Sequence, residues 1–323
     1  IACASGTDAL LMSLMAYDIG PGDAVVTTPF TFIATAEVIG FLGATPVFAD
    51  IDPATYNIDP RKIDDAVNAL KKERPELTPR AIIAVDLFGL PADYDAIDAV
   101  ARKHGLCVIE DAAQSFGADY KGRRAGTLAE VACTSFFPAK PLGCYGDGGA
   151  VLTANAELAD KMRSIRIHGQ GSDKYDNIRI GINGRLDTLQ ASILLAKLEV
   201  FADEIQRRQA AAGRYADGLA DIPNLVAPAV PAEYASVWAQ YSILAEDSDH
   251  RTALQAALKK ASIPTAIYYP KPLHLQTAFA DLPYERGDFP VSEKTADRIF
   301  SIPMHPYLEA DQQEQVISAL KTA

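Results

Sequence analysis

The sequence predicts an α/β protein: a large domain with a mostly parallel mixed sheet flanked by helices, then a smaller α+β domain. Two observations predict it. In the first part of the chain, short apolar runs alternate with helical patterns, which implies βαβ crossovers. Near residues 220–235, Pro223, Pro228 and Pro231 break the chain, and the pattern changes after them. The 323 residues are enough to fill more than one core. The expected division is a large domain over 1–200 and a small domain over 201–323.

The elements follow in order. Ser5-Gly6-Thr7-Asp8 opens an apolar-periodic run with Leu10, Leu11, Leu14 and Met15, the mark of a helix start. Apolar strands are expected at 24–27, 46–49, 81–87, 106–109, 131–137 and 149–153, with helices at 35–42, 60–72 and 94–104 between them. A long helix over 186–219 carries Leu189, Ile193, Leu194 and Leu198 at helical spacing, as packing residues. After the proline break, 237–244 reads as a strand and 251–261 as a helix. Strands at 265–269 and 299–302 and a closing helix over 311–320 complete the small domain.

Composition excludes several classes. The net charge of −12 argues against nucleic-acid binding. No window approaches the apolar length of a membrane span, and no signal peptide is visible, so no membrane partner is expected. Cys3, Cys107, Cys133 and Cys144 form no Cys-x-x-Cys pair and read as reduced thiols in a cytoplasmic protein. Cys144 reads as a packing residue. No metal site is expected. The charge is uneven: from 161 to 185 six basic residues face two acids, a local +4 that suits an anion such as a diphosphate. A solvated helix face and loop is the plain alternative.

The most informative stretch is Ser135-Phe136-Phe137-Pro138-Ala139-Lys140, where an apolar run delivers one lysine into a glycine-rich turn. In an apolar pocket a lysine has a lowered pKa, and its free amine can form a Schiff base with a carbonyl. Twenty-nine positions earlier, Asp111 ends a strand-like run at the edge where α/β sheets bind ligands. Pyridoxal phosphate needs a lysine for its aldehyde and an acid facing its pyridine nitrogen. Alone, Lys140 reads as a surface lysine and Asp111 as a helix N-cap; together they supply both needs. Gly6 and Thr7 at a helix N-terminus suit a phosphate, and Ser135 adds a second hydroxyl.

Five ordered motifs carry a resemblance: Ser5-Gly-Thr-Asp-Ala-Leu10, Thr31-Phe-Ile-Ala-Thr-Ala-Glu37, Glu110-Asp-Ala-Ala-Gln-Ser-Phe-Gly117, Ser135-Phe-Phe-Pro-Ala-Lys140 and Gly181-Ile-Asn-Gly-Arg-Leu-Asp-Thr-Leu-Gln-Ala191. The chain resembles the DegT/DnrJ/EryC1/StrS family of pyridoxal-phosphate aminotransferases acting on nucleotide-linked keto sugars. That resemblance implies aminotransferase fold type I and a homodimer with shared active sites. It implies glutamate as donor, with pyridoxamine phosphate formed during turnover. It gives Lys140 the Schiff base, Asp111 the pyridine nitrogen and Gln114 the ring hydroxyl. Phe32 would stack on the cofactor, and Gly6, Thr7 and Ser135 would hold its phosphate. Asn183 would reach the phosphate of the neighbouring subunit. A branch that performs dehydration replaces the lysine with histidine; this chain keeps lysine.

Within the family the chain looks most like the branch that aminates UDP-2-acetamido-2-deoxy-3-oxo-glucuronate for bacterial surface polysaccharide, with 4-keto-6-deoxy sugar nucleotides as the alternative substrates. A sugar dehydratase and a non-catalytic regulatory protein are the other readings. Arg185 is the expected carboxylate reader, and His168, His274 and Tyr268 are candidate substrate contacts. Tyr268 departs from the branch, whose close members tend to have histidine there. Family members also carry a few dozen residues before the position of Ile1.

Overall fold

The computed structural model describes residues 1–323. The first elements are β1 (Ala2–Cys3), α1 (Gly6–Ala16), β2 (Asp23–Thr27), α2 (Ala34–Phe41), β3 (Thr45–Phe48), α3 (Pro60–Glu73), β4 (Thr78–Val85), α4 (Tyr94–His104) and β5 (Cys107–Asp111). Next come β6 (Asp119–Tyr120), β7 (Arg123–Arg124), β8 (Val131–Ser135), β9 (Gly149–Thr153), α5 (Ala156–Ile165) and α6 (Thr188–Leu219). The chain closes with β10 (Tyr234–Ala235), β11 (Tyr241–Leu244), α7 (Ser248–Lys260), α8 (Pro290–Arg298), β12 (Ile299–Ile302) and α9 (Ala310–Lys321).

Seven strands form one sheet in the order β1-β9-β8-β5-β4-β2-β3. The pairs β2–β3, β2–β4, β4–β5 and β5–β8 are parallel; β9 runs antiparallel to both its neighbours. The expected mostly parallel mixed sheet is therefore present. Register aligns Asp111 with Cys133, so the loop that follows β8 leaves the sheet beside Asp111. That alignment is what brings two distant motifs together.

Both faces of the sheet are covered, as a parallel sheet requires. Ile63, Val67 and Ile97 of α3 and α4 pack on Val26, Ile82 and Val108. On the other face Leu10, Met12 and Val38 of α1 and α2, with Met162 of α5, pack on Val25, Ile83 and Ile109. Each such side chain contributes about 1.5–3 kcal/mol on burial. A further core gathers Tyr215, Tyr241, Leu254, Phe300 and Val316 around the β11–β12 pair. Phe30, Val85 and Phe88 meet Leu244 and Ile299 between the two regions.

Helix α6 is about 48 Å long at 1.5 Å per residue. Its Leu194 and Phe201 pack with Phe136 and Leu142, whereas Ala212, Tyr215 and Leu219 belong to the core around β11–β12. On that change of core we propose residues 1–200 and 201–323 as the two domains. Residue 200 then lies inside a continuous helix, not in a linker.

Several expectations change. The segment 265–269 makes only the single bridge Ala266↔Ser301, because Pro270 and Pro272 remove ladder donors just beyond it. The strand expected at 237–244 shrinks to Tyr241–Leu244, because Trp238 adopts a positive φ of 54° and turns the chain. Two helices were not expected. The Asn155 side chain caps α5 by accepting from Glu157 and Leu158 N–H. The first-turn N–H groups of α8, Val291 and Ser292, donate to Asp50, far away in sequence. Leu189 and Leu198 were expected to pack, but they are 77% and 45% exposed; Leu194 alone of that set is buried.

Candidate active site

Helix α1 begins at Gly6 because Ser5 caps it, its hydroxyl oxygen accepting from Asp8 N–H at 3.0 Å. Gly6 is required sterically: a Cβ there would sit 2.7 Å from the Cβ of Ser135 at the end of β8. The helix N-terminus and Ser135 therefore touch, and the Gly6 and Thr7 N–H groups find no partner in the chain. An anion bound there meets free donors and the positive end of the helix dipole.

Asp111 ends β5 and is 4% exposed. Its Oδ2 accepts from the Thr35 hydroxyl at 2.9 Å and its Oδ1 from Ala113 N–H at 3.2 Å. The residues that follow form a turn, so Asp111 does not cap a helix. Burial raises its pKa; Thr35, Ala113 and the nearby Lys140 charge work against that rise. The Lys140 amine is largely buried and makes no hydrogen bond or ion pair, and burial lowers its pKa against the opposing pull of Asp111. The lysine loop is tied to the phosphate corner. Ser135 Oγ accepts from Phe137 N–H at 3.3 Å, and Phe137 O accepts from Lys140 N–H at 2.8 Å.

Gln114 is buried, and its amide orientation is determined. Phe88 N–H donates to its Oε1 at 2.8 Å, so Nε2 is the end left to donate, reaching the Tyr269 hydroxyl at 3.4 Å. Phe32 is 54% exposed beside this group, its ring tilted 38° to Tyr269 with centroids 6.4 Å apart. Tyr268 is adjacent, with its ring edge-on to Tyr269. Thr35 and Tyr269 had no role in the sequence reading. Thr35 lies inside a quoted motif, four residues after Thr31, whose hydroxyl it contacts. Burial raises the Tyr269 pKa, and its ring touches Phe30 and Phe32; nothing in its local sequence signals this.

The remaining candidates lie apart from this cluster. His274 is not exposed to a substrate: it is 3% exposed, its Nε2 pairs with Glu293 at 3.0 Å, and its ring packs edge-on against Phe289. Burial lowers its pKa, so the structure gives it a role in the core beneath its loop. His168, Asn183 and Arg185 have exposed side chains without hydrogen-bond partners. Asn183 bridges Ile167 through its backbone, and Gly184 O accepts from Ala4 N–H at 3.0 Å, next to the start of α1. The +4 segment is less positive in space than in sequence. Lys161 pairs with Asp18 and Arg163 with Asp160, both at 2.6 Å, and Arg166 donates to Ala2 O. Lys174, Arg179 and Arg185 remain outside any ion pair. A groove of about 820 Å³ between α3, β3 and residues 283–291 contains none of these residues.

Pyridoxal phosphate fits the cluster. A buried carboxyl lacking a contacting cation suits a protonated pyridine nitrogen, and an unpartnered, largely buried amine suits an aldehyde. A directed amide donor suits a ring hydroxyl. A helix N-terminus held against Ser135 by a glycine suits a phosphate.

The sequence profile of the DegT/DnrJ/EryC1/StrS aminotransferase family matches residues 1–321. The chain is 51% identical over 320 residues to the UDP-2-acetamido-2-deoxy-3-oxo-D-glucuronate aminotransferase of Pseudomonas aeruginosa, covering 99% of this chain and 85% of that protein. It is 45% identical over 322 residues to a pleiotropic regulatory protein of Geobacillus stearothermophilus, covering 99% and 83%. A crystal structure of a DegT DnrJ EryC1 StrS aminotransferase from Brucella abortus matches with a TM-score of 0.96 at 51% identity, covering 100% of this chain and 85% of that one.

Proposed function

Because this chain belongs to the DegT/DnrJ/EryC1/StrS aminotransferase family, we propose that it moves an amino group from glutamate to a nucleotide-linked keto sugar. Its cofactor is pyridoxal phosphate. We propose UDP-2-acetamido-2-deoxy-3-oxo-D-glucuronate as the acceptor, in the synthesis of a bacterial surface polysaccharide. The name of the 51% identical relative supports this acceptor, as does the unpaired Arg185. A cytoplasmic site of action is part of the proposal, since the substrate is a nucleotide sugar and all four cysteines are free. No helix is long and apolar enough to cross a membrane.

Bound at this site, pyridoxal phosphate supplies an aldehyde for amines and a ring that withdraws electrons from the carbon losing its proton. The protein's residues do the rest. The N-terminus of α1, with Gly6, Thr7 and Ser135, holds the phosphate. Asp111 would face the pyridine nitrogen, whose positive charge favours the ionised carboxylate, and Thr35 and Ala113 hold that carboxylate in place. Gln114 Nε2 donates to the ring hydroxyl, and Phe32 covers the ring face. Lys140 would hold the resting cofactor through its Nζ. When free, that Nζ would accept the proton from the donor carbon and return it on the other side of the transfer. Burial lowers the pKa of that amine against the pull of Asp111, which favours the neutral form this role requires.

The active form is a homodimer in this reading. Tyr175 is 84%, Ile180 85%, Leu189 77% and Leu195 67% exposed, an amount of apolar surface that needs covering. Asn183 lies in the same part of the chain and serves the partner's phosphate. The single observation that carries the proposal is a half-buried Lys140, its amine free of hydrogen bonds and ion pairs, in the loop that leaves β8 beside the buried Asp111 carboxyl. A non-catalytic regulator has no use for this pair, and a sugar dehydratase of the family carries histidine at the lysine position.

The test is kcat/KM for the 3-oxo-uronate against a neutral 4-keto-6-deoxy sugar nucleotide, with glutamate as donor, in wild type and Arg185→Lys. The uronate is expected to be preferred, and Arg185→Lys to lower kcat/KM for it about tenfold by loss of a two-pronged contact. A wild-type preference for the neutral sugar removes the uronate. An unaffected Arg185→Lys removes Arg185 as its reader.

A further inference from the structure

A second acidic group lies under the site and has no part in the scheme above. Asp86 follows β4 and Glu110 lies in β5; both are fully buried, on the face of the sheet opposite the Asp111 carboxylate. Their side chains lie on the same face of the sheet, at neighbouring strands, where the Glu110 charge raises the Asp86 pKa. Asp86 Oδ1 accepts from Ala92 N–H at 2.9 Å and the Tyr94 hydroxyl at 2.8 Å, and Oδ2 from the Ser115 hydroxyl at 2.6 Å. The Asp86 N–H donates to Asp111 O at 3.1 Å. Glu110 accepts from Gly126 N–H at 2.6 Å and Leu128 N–H at 2.8 Å. Tyr94, Asp111 and Cys133 are the other titratable groups near the pair, and none is a cation.

One residue, Asp86, therefore touches both edges of the turn that carries the cofactor contacts, Asp111 through its backbone and Ser115 through its side chain. Gln114, next to Ser115, is held by Phe88 N–H, two residues beyond Asp86. We propose that Asp86 is a positioning residue for the amino transfer: it fixes the Asp111–Ser115 turn so that the Gln114 amide donates toward the ring hydroxyl. This inference rests on the pyridoxal-phosphate reading of the site.

Burial disfavours the charged form of both carboxyls and pushes both groups up, and the Glu110 charge raises Asp86 further. Glu110 Oε1 and Oε2 accept from Gly126 and Leu128 N–H respectively, so an amide there sets a donor against one of them and Glu110→Gln should cost stability while leaving the Asp86–Ser115 tie in place. Ser115→Ala should disturb the site, because it cuts the tie between the turn and Asp86 while leaving every proposed cofactor contact in place.

The experiment uses full-length protein loaded with pyridoxal phosphate, in wild type, Asp86→Ala, Ser115→Ala and Glu110→Gln. It reads the pH midpoint of the cofactor's visible band, kcat, KM and the melting temperature. Asp86→Ala and Ser115→Ala are expected to shift the band midpoint and to lower kcat at least fivefold, with KM for the sugar within twofold of wild type. Glu110→Gln is expected to lower the melting temperature, with band midpoint and kcat closer to wild type than in Ser115→Ala. The proposal is overturned if Ser115→Ala changes only the melting temperature; that variant decides the matter should Asp86→Ala fail to fold. A wild-type protein with no visible band after loading would instead overturn the reading of the site itself.

Discussion

Lys140 and Asp111 were legible because each breaks a local rule. An apolar run ends in a charge, and the strand pairing of β5 with β8 then brings the two ends together. Sodium borohydride should fix the cofactor to Lys140, as peptide mapping can establish, and Lys140→Ala should lower kcat by roughly 10²–10⁴. A Lys140→Ala protein that still binds the cofactor covalently and turns over sinks the assignment. Asp111→Asn should lower kcat at least about 10²-fold, equivalent to ~3 kcal/mol of lost charge stabilisation. The same substitution should stabilise the cofactor-free protein. The Asp111 pKa is raised on folding, so the folded state holds the extra proton and stability falls as pH rises through that raised value. The advantage of Asp111→Asn in melting temperature should thus grow from acid toward neutral pH; a constant difference contradicts it. His274 was misread, because a histidine in a proline-rich loop gives no sign that Glu293 and Phe289 enclose it. Tyr269 was missed for the converse reason, since its place beside Gln114 depends on contacts across 155 positions.

Elements with strong local signals were predicted nearly to their ends. Helix α4 and strand β9 match the expected 94–104 and 149–153. Helix α8 escaped because its cap, Asp50, comes from 241 positions earlier. Helix α6 was recognised, but its faces were not: Leu194 packs beneath the lysine loop, and Leu189 points outward. Helical periodicity reports apolar faces and cannot say whether a face meets its own chain or another. The start of α1 gives a prediction at this scale. Gly6→Ala places a methyl carbon 2.7 Å from Ser135 Cβ and pushes the helix off the end of β8. Cofactor affinity in a fluorescence titration should fall about tenfold, or ~1.4 kcal/mol. Unchanged affinity would mean that the phosphate does not sit at this corner.

At the level of the molecule, the α/β class and mostly parallel sheet were readable from alternation alone, and the proposed boundary at residue 200 falls inside α6, which runs without a break. In the proposed homodimer a second copy covers exposed apolar residues on α6 and the 175–180 loop. If Asn183 serves the partner's site, mixing Lys140→Ala with Asn183→Ala subunits should restore part of the activity, since each hybrid dimer holds one intact site. No recovery after subunit exchange contradicts shared sites. The central claim is tested most directly by mass spectrometry of the sugar nucleotide after incubating loaded protein with amine-labelled glutamate and UDP-2-acetamido-2-deoxy-3-oxo-D-glucuronate. The account predicts a sugar carrying the labelled nitrogen with wild type, and labelling at least about a hundredfold slower with Lys140→Ala. An unlabelled or dehydrated sugar from wild type, or labelling by Lys140→Ala at the wild-type rate, would contradict it.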